Sequence, residues 1–115
     1  MRIEYFPHVP TSPYQRLFAD ALAGFGVTCQ PGTVINDAHL AEHARGIDAI
    51  HLHWLEGLVG EESFRRRARR AIGLWNYLRC ARRLGVKIIW TVHNHERHEG
   101  CSIVDRWWNA RVARN

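Results

Sequence analysis

Histidines at the ends of two apolar stretches are the residues of this 115-residue chain best suited to chemistry. The first stretch, Ala49–Trp54, contains His51 and His53, and the second, Val86–Val92, is followed directly by His93. Residues two apart in a strand point to the same face, so the side chains of His51 and His53 are expected to project together. If the two stretches are neighbouring strands of one sheet, His93 lies close to both.

His93 is the predicted catalytic residue. The apolar, largely β-branched run before it is typical of a buried parallel strand. Ligands of open α/β sheets bind outside the carboxyl ends of the strands, which is where His93 and Asn94 are expected to lie. An imidazole at that position can act as a general acid or base, or can hydrogen-bond a hydroxyl group of a substrate.

A metal site is an alternative interpretation of the same histidines. Imidazole suits zinc, copper, nickel and iron, so His51, His53 and His93 could form a ligand set together with a carboxylate. The candidate carboxylates follow no spacing of a known metalloenzyme signature; they are Glu56, Glu96 and Glu99. A further interpretation gives His51 or His53 a purely structural role, as a buried side chain next to Trp54 that is hydrogen-bonded to the backbone.

The elements that position these histidines are predicted from hydrophobic periodicity and from turn residues. The predicted strands are Arg2–Phe6, Val27–Cys29, Ile47–Trp54 and Val86–Val92. The predicted helices are Tyr14–Phe25, a short one from Asn36 to Ala44, a long one from Glu61 to Leu84, and one from Asp105 that the chain does not finish. This order predicts one α/β domain over residues 1–115: a doubly wound, Rossmann-like parallel sheet with helices on both faces, incomplete at the C-terminus.

The composition is that of an ordinary globular protein, with 46% hydrophobic and 23% charged residues. The absence of an apolar run of about 18 residues argues against a membrane-spanning helix. The three cysteines form no CxxC pair, which favours reduced thiols in the cytoplasm. The charge is uneven, because residues 1–60 carry three Arg and six acidic residues whereas residues 61–115 carry thirteen Lys and Arg and five acidic residues.

Much of the positive charge lies on the long predicted helix, between Arg65 and Arg83. A solvated helix surface is the simplest interpretation of this charge. Attraction to anionic lipid headgroups is a second, and a basic, non-catalytic interaction domain is a third. Nucleic-acid binding is not expected, because the chain has no RNP-like, helix-turn-helix or zinc-finger pattern.

Four stretches of the chain carry a family resemblance: Ser12–Gln15, Asp48–Trp54, Leu84–Asn94 and the pair His98-Glu99. The most specific is the Thr-x-His that ends the strand before Asn94. Together they resemble the N-terminal, acceptor-side domain of bacterial GT-B glycosyltransferases, in the broad family 4-like group that makes exopolysaccharides. The resemblance implies that His93 is catalytic, near the transferred sugar, and that His53, Asn94 and Tyr14 bind substrate.

The resemblance also implies an activity and its partners. Such enzymes transfer a sugar from a nucleotide-sugar to a hydroxyl of a glycan or lipid-linked acceptor, and they bind no metal or other cofactor. The nucleotide-sugar is held by a second Rossmann-like domain, which is not found in these 115 residues. The chain is therefore expected to be inactive alone, and cytoplasmic, with the arginine-rich helix offering peripheral attachment to the inner membrane face. The first loop, Pro10–Pro13, lacks the glycines with which many members contact donor phosphates.

Overall fold

A computed structural model describes residues 1–53, 63–91 and 110 of the chain. The strands are β1 (Arg2–Phe6), β2 (Thr28–Pro31), β3 (Ala49–Leu52) and β4 (Lys87–Trp90); the helices are α1 (Pro13–Ala23), α2 (Asp37–His43) and α3 (Phe64–Arg83), with a 3-10 turn (Ala44–Gly46) after α2. All strand pairs are parallel, and the order across the sheet is β2-β1-β3-β4. The predicted α/β class with a parallel sheet is confirmed.

Helices lie on both faces of this sheet, as the doubly wound class requires. His51 of β3 contacts Phe18 of α1, whereas the neighbouring Ile50 and Leu52 pack with residues of α2 and α3. The chain turns back across β1 between β2 and β3, so β1 and β3 flank the point at which the strand order reverses. A crevice at the carboxyl ends of these two strands is the usual ligand site of such sheets.

The main hydrophobic core lies between the sheet and the pair α2 and α3, which pack against each other. Its buried members are Phe6, Leu40, Ile47, Ile50, Leu52, Leu74, Tyr77, Leu78, Ala81 and Val86. The ring of Phe6 meets the ring of Tyr77 edge-on at 5.8 Å. Burial, reinforced by the nearby negative charge of Glu4, raises the pKa of Tyr77 well above its usual value, so its phenol stays neutral in the core.

The second strand differs from its prediction. It begins at Thr28 and extends past the predicted end at Cys29 to Pro31, which pairs with Tyr5 of β1. Proline is tolerated there because β2 is an edge strand and its missing N–H would face solvent. The first helix is also shorter than predicted and ends at Ala23, since Gly24 caps it and Gly26 takes a φ of +73°.

The buried face of α3 also differs from its prediction. Helical periodicity in the sequence predicts that one apolar stripe is buried: Phe64, Ala68, Ala71, Ile72, Trp75, Leu78 and Ala81. This set includes Ile72, whose side chain is 61% exposed, and omits Leu74 and Tyr77, which are buried. The observed buried residues 74, 77, 78 and 81 follow helical spacing but are rotated about the helix axis from the predicted set. Packing against both α2 and the sheet sets this rotation, and a single helix sequence does not specify it.

Candidate functional site

Three strand ends lie side by side at the carboxyl edge of the sheet. The backbone N–H of His53, just after β3, donates a 2.8 Å hydrogen bond to the carbonyl of Phe6 at the end of β1. The N–H of Thr91, just after β4, donates one of 2.9 Å to the carbonyl of Leu52. The residues that follow β1, β3 and β4 therefore start from fixed and adjacent positions.

His51 and His53 form a buried imidazole pair. Their side chains are 2% and 1% exposed, and their ring centroids lie 4.0 Å apart. A 2.7 Å hydrogen bond joins His51 Nε2 to the hydroxyl of Thr91, with the donor set by the ring tautomer. The two imidazoles project together as predicted. The hydrogen bond and the burial of His51 also agree with a structural role for that residue.

Two aromatic residues of α1 enclose this pair. The ring of Phe18 lies 4.9 Å from that of His51 and 5.9 Å from that of His53. Tyr14 stacks on Phe18 at 6.1 Å and meets His53 edge-on at 5.3 Å. Tyr14 is 41% exposed, so it forms the solvent-facing end of the layer. The structure thus brings together His53 and Tyr14, two of the predicted substrate-binding residues.

Gln15 fixes the loop after β1, a role that sequence reasoning missed. Its buried side-chain amide accepts a 2.9 Å hydrogen bond from the N–H of Val9 and donates one of 2.7 Å to the carbonyl of Pro7. The Phe6–Pro7 peptide bond in this loop is cis. The available sequence signal was the polar Gln15 next to the Ser12 cap, on the side of the helix that carries Phe18 and Leu22.

A cleft of about 580 Å³ opens between the segments that follow β1 and β2. Its lining residues are Phe6, Pro7, His8, Pro31, Gly32, Thr33 and Ile35. His8 was not among the predicted site residues, and its ring lies 5.8 Å from that of Tyr5. The cleft is mostly apolar, with an imidazole and a hydroxyl among its walls, a combination common in small-molecule sites.

The predicted catalytic residue, His93, lies outside the described residues, as does Asn94. The same is true of His95, His98 and the candidate carboxylates Glu56, Glu96 and Glu99. Their proposed roles remain predictions. Within residues 1–53 and 63–91, the structure assembles no group of three or more His, Cys, Asp and Glu side chains around a possible metal position.

No protein-family model, curated protein or solved structure matches this chain. In the part of the chain that the structure describes, no helix combines the length and the apolar character needed to cross a membrane. The site is thus defined by its own residues: the buried pair His51 and His53, the exposed Tyr14, and the loop held by Gln15.

Proposed function

We propose that this chain is the acceptor-side, Rossmann-like domain of a GT-B-type glycosyltransferase. The enzyme would transfer a sugar from a nucleotide-sugar to a hydroxyl of a glycan or lipid-linked acceptor. The observation that carries the proposal is the position of His53 and Tyr14 together at the carboxyl end of β3, beside the point where the strand order reverses. Tyr14, which is 41% exposed, would contact the acceptor at this edge, and the buried His53 would support its ring from beneath.

The residue types suit an acceptor sugar. An aromatic side chain such as Tyr14 combines an apolar ring, able to pack on the C–H face of a pyranose, with a polar end that can hydrogen-bond a hydroxyl. The catalytic residue in this proposal is His93, which follows Thr91 by two residues in the sequence. The nucleotide-sugar would be held by a second α/β domain, and no metal or other cofactor would take part.

Binding experiments on the chain alone test this assignment. We expect short oligosaccharide acceptors to bind weakly, whereas UDP and GDP should not, because the first loop lacks phosphate-binding glycines. Tyr14→Phe removes only the phenolic oxygen and keeps the ring beside Phe18, so it should weaken acceptor binding several-fold while the chain remains folded. NMR titration and thermal unfolding measure the two effects. Preferential binding of the nucleotides, or acceptor binding that is unchanged in Tyr14→Phe, would contradict the proposal.

The arginine-rich helix α3 suits an anionic membrane surface. It contains eight arginines and no acidic residue over its 20 residues, a length of about 30 Å. Residues 65, 69, 72, 76, 79 and 83 form one row along the exposed side, opposite the buried Leu74 and Leu78. The row contains arginines at both ends and the 61%-exposed Ile72 between them. Such a face can place cations at headgroups and one apolar side chain among them.

The positive charges at the amino end of α3 are a second argument for an anionic partner. Arg65, Arg66 and Arg67 occupy the first turn, where the helix dipole disfavours positive charge, and Ser63 makes no side-chain cap hydrogen bond. In the described part of the chain, Arg65, Arg69, Arg79 and Arg83 form no ion pair. An anionic surface would offset both the dipole and the mutual repulsion of these cations.

Vesicle co-sedimentation tests the membrane part of the proposal. We expect the chain to bind vesicles that contain phosphatidylglycerol, to leave pure phosphatidylcholine vesicles unbound, and to dissociate as salt is raised. Arg79→Glu/Arg83→Glu should reduce binding strongly. Arg16→Glu/Arg45→Glu changes the same charge on exposed positions outside α3 and is the matched control. Equal loss in both double variants would mean that net charge, and not the α3 row, determines binding.

A further inference from the structure

A second pair of histidines lies on α2, apart from the pair on β3. His39 and His43 are four positions apart, so they occupy the same side of the helix about one turn apart. The segment reads His39-Leu40-Ala41-Glu42-His43, the order H-x-x-E-H that occurs in zinc-binding helices of one class of metallopeptidases. Two histidines at this spacing can chelate one metal ion.

The two rings lie next to each other on the outward side of α2. Their centroids lie 4.2 Å apart and their planes are inclined by 31°. His43 is exposed and His39 is half-buried, so an ion can reach them from solvent. Leu40, which follows His39 in the sequence, is 1% exposed and packs in the core. It anchors α2 and so fixes the side of the helix that faces outward.

Hydrogen bonds leave one nitrogen of each ring available. The carbonyl of His39 lies 2.9 Å from His43 Nδ1, and because a carbonyl only accepts, Nδ1 carries the proton and Nε2 carries the lone pair. A metal-binding histidine commonly donates its other ring N–H to a backbone carbonyl in this way. His39 Nε2 lies 3.4 Å from the hydroxyl of Thr33. Among the described residues, the second nitrogen of each ring has no hydrogen-bond partner.

We propose that His39 and His43 form a binding site for a divalent transition-metal ion, with Zn²⁺ as the representative ion. Imidazole nitrogens are ligands that zinc, nickel and copper prefer. Two protein ligands leave further coordination positions for water or for an oxygen atom of another molecule. Thr33, which contacts His39, also lines the cleft at the carboxyl edge, so the ion would lie beside that cleft.

This site is distinct from the proposed acceptor residues and independent of the proposed function. Tyr14 lies on α1, His51 on β3 and His53 just after β3, all on the opposite face of the sheet from α2. Glu42, next to His43 and exposed, adds a carboxylate on the same helix turn. Because the ligands must be deprotonated, binding should weaken on acidification.

Titration with zinc chloride tests the site. We expect one Zn²⁺ to bind the full chain, with an affinity that falls about tenfold or more in His43→Ala. The double variant Ala41→His/His43→Ala keeps the number of histidines but places the second one on another side of the helix, since residue 41 is two positions from His39. It should lose the same affinity. Both changed positions are exposed, and thermal unfolding without metal should confirm that the variants fold.

The control for other histidines is His53→Gln, which leaves α2 intact. Zinc affinity that is unchanged in His53→Gln and lost in both α2 variants would support the site, with the amide resonances of residues 37–43 shifting on addition of metal. Zinc affinity that is kept in the α2 variants would overturn the proposal. Affinity that is lost only in His53→Gln would overturn it as well and would place the metal at the pair His51 and His53. Failure of the wild-type chain to bind zinc would also overturn it.

Discussion

Replacing Gly32 by alanine is expected to lower the free energy of unfolding by about 3 kcal/mol, near the upper end of the usual cost of overpacking. A Cβ atom added to Gly32 would lie 1.9 Å from Cζ of Phe6 and 2.3 Å from both of its Cε atoms. Phe6 cannot easily yield, because it is 4% exposed and packs edge-on against Tyr77 in the core. Either the ring or the backbone after β2 must therefore shift.

Urea denaturation measures this loss, and Gly73→Ala provides the matched control. A Cβ at Gly73 meets nothing within 4 Å, and Gly73 lies in the interior of α3. Alanine is favoured over glycine in a helix by about 1 kcal/mol, so this variant should be more stable than the wild type. Phe6→Leu combined with Gly32→Ala should recover part of the loss. Wild-type stability of Gly32→Ala would show that the close approach of Gly32 to Phe6 is wrong.

Gln15→Met is expected to lower the free energy of unfolding by about 2–3 kcal/mol, the cost of leaving partly buried polar groups without partners. Methionine has a similar length but cannot accept from the N–H of Val9 or donate to the carbonyl of Pro7. The two hydrogen bonds are 2.9 and 2.7 Å long, and the Gln15 side chain is 3% exposed. The loop beside the proposed acceptor site should loosen as a consequence.

Two measurements separate this loop effect from general destabilisation. Hydrogen exchange at the amide of Val9 should accelerate more than exchange in β3, whose backbone bonds are not altered. Gln30→Met is the control, because the half-buried amide of Gln30 donates a single 2.8 Å bond to Glu4 and its loss should cost less. Slow exchange at Val9 in Gln15→Met, together with unchanged stability, would remove Gln15 from its role in fixing the loop.

The architecture could be predicted because the elements alternate clearly along the sequence. Apolar runs end at glycine, proline or polar clusters, and this punctuation separates strands from helices over the described residues. The first strand was predicted with its observed bounds, Arg2–Phe6. The parallel pairing of β3 with β4 followed from the long helix between them, since a crossover helix joins parallel strands.

Other features depend on contacts that a single sequence does not reveal. The position of Gln15 on the apolar side of α1 suggests that it is buried, but the sequence does not show that its amide bonds Val9, six residues earlier. Gly32 contacts Phe6 because the ends of β1 and β2 are paired in one particular register, and that register depends on the whole sheet. His39 and His43 did have a sequence signal, their spacing of four, but their ring orientation is visible only in the fold.

The site of acceptor binding tests the central proposal most directly. In an NMR titration of the isotope-labelled chain with a short oligosaccharide acceptor, the glycosyltransferase assignment predicts shifts at Tyr14, His53 and the loop of residues 7–9, at the carboxyl edge of the sheet. Gly26 and Gly46 lie at the opposite edge and should stay unchanged, and Tyr14→Phe should weaken the shifts. Shifts confined to the opposite edge, or no binding by any acceptor tested, would contradict the assignment.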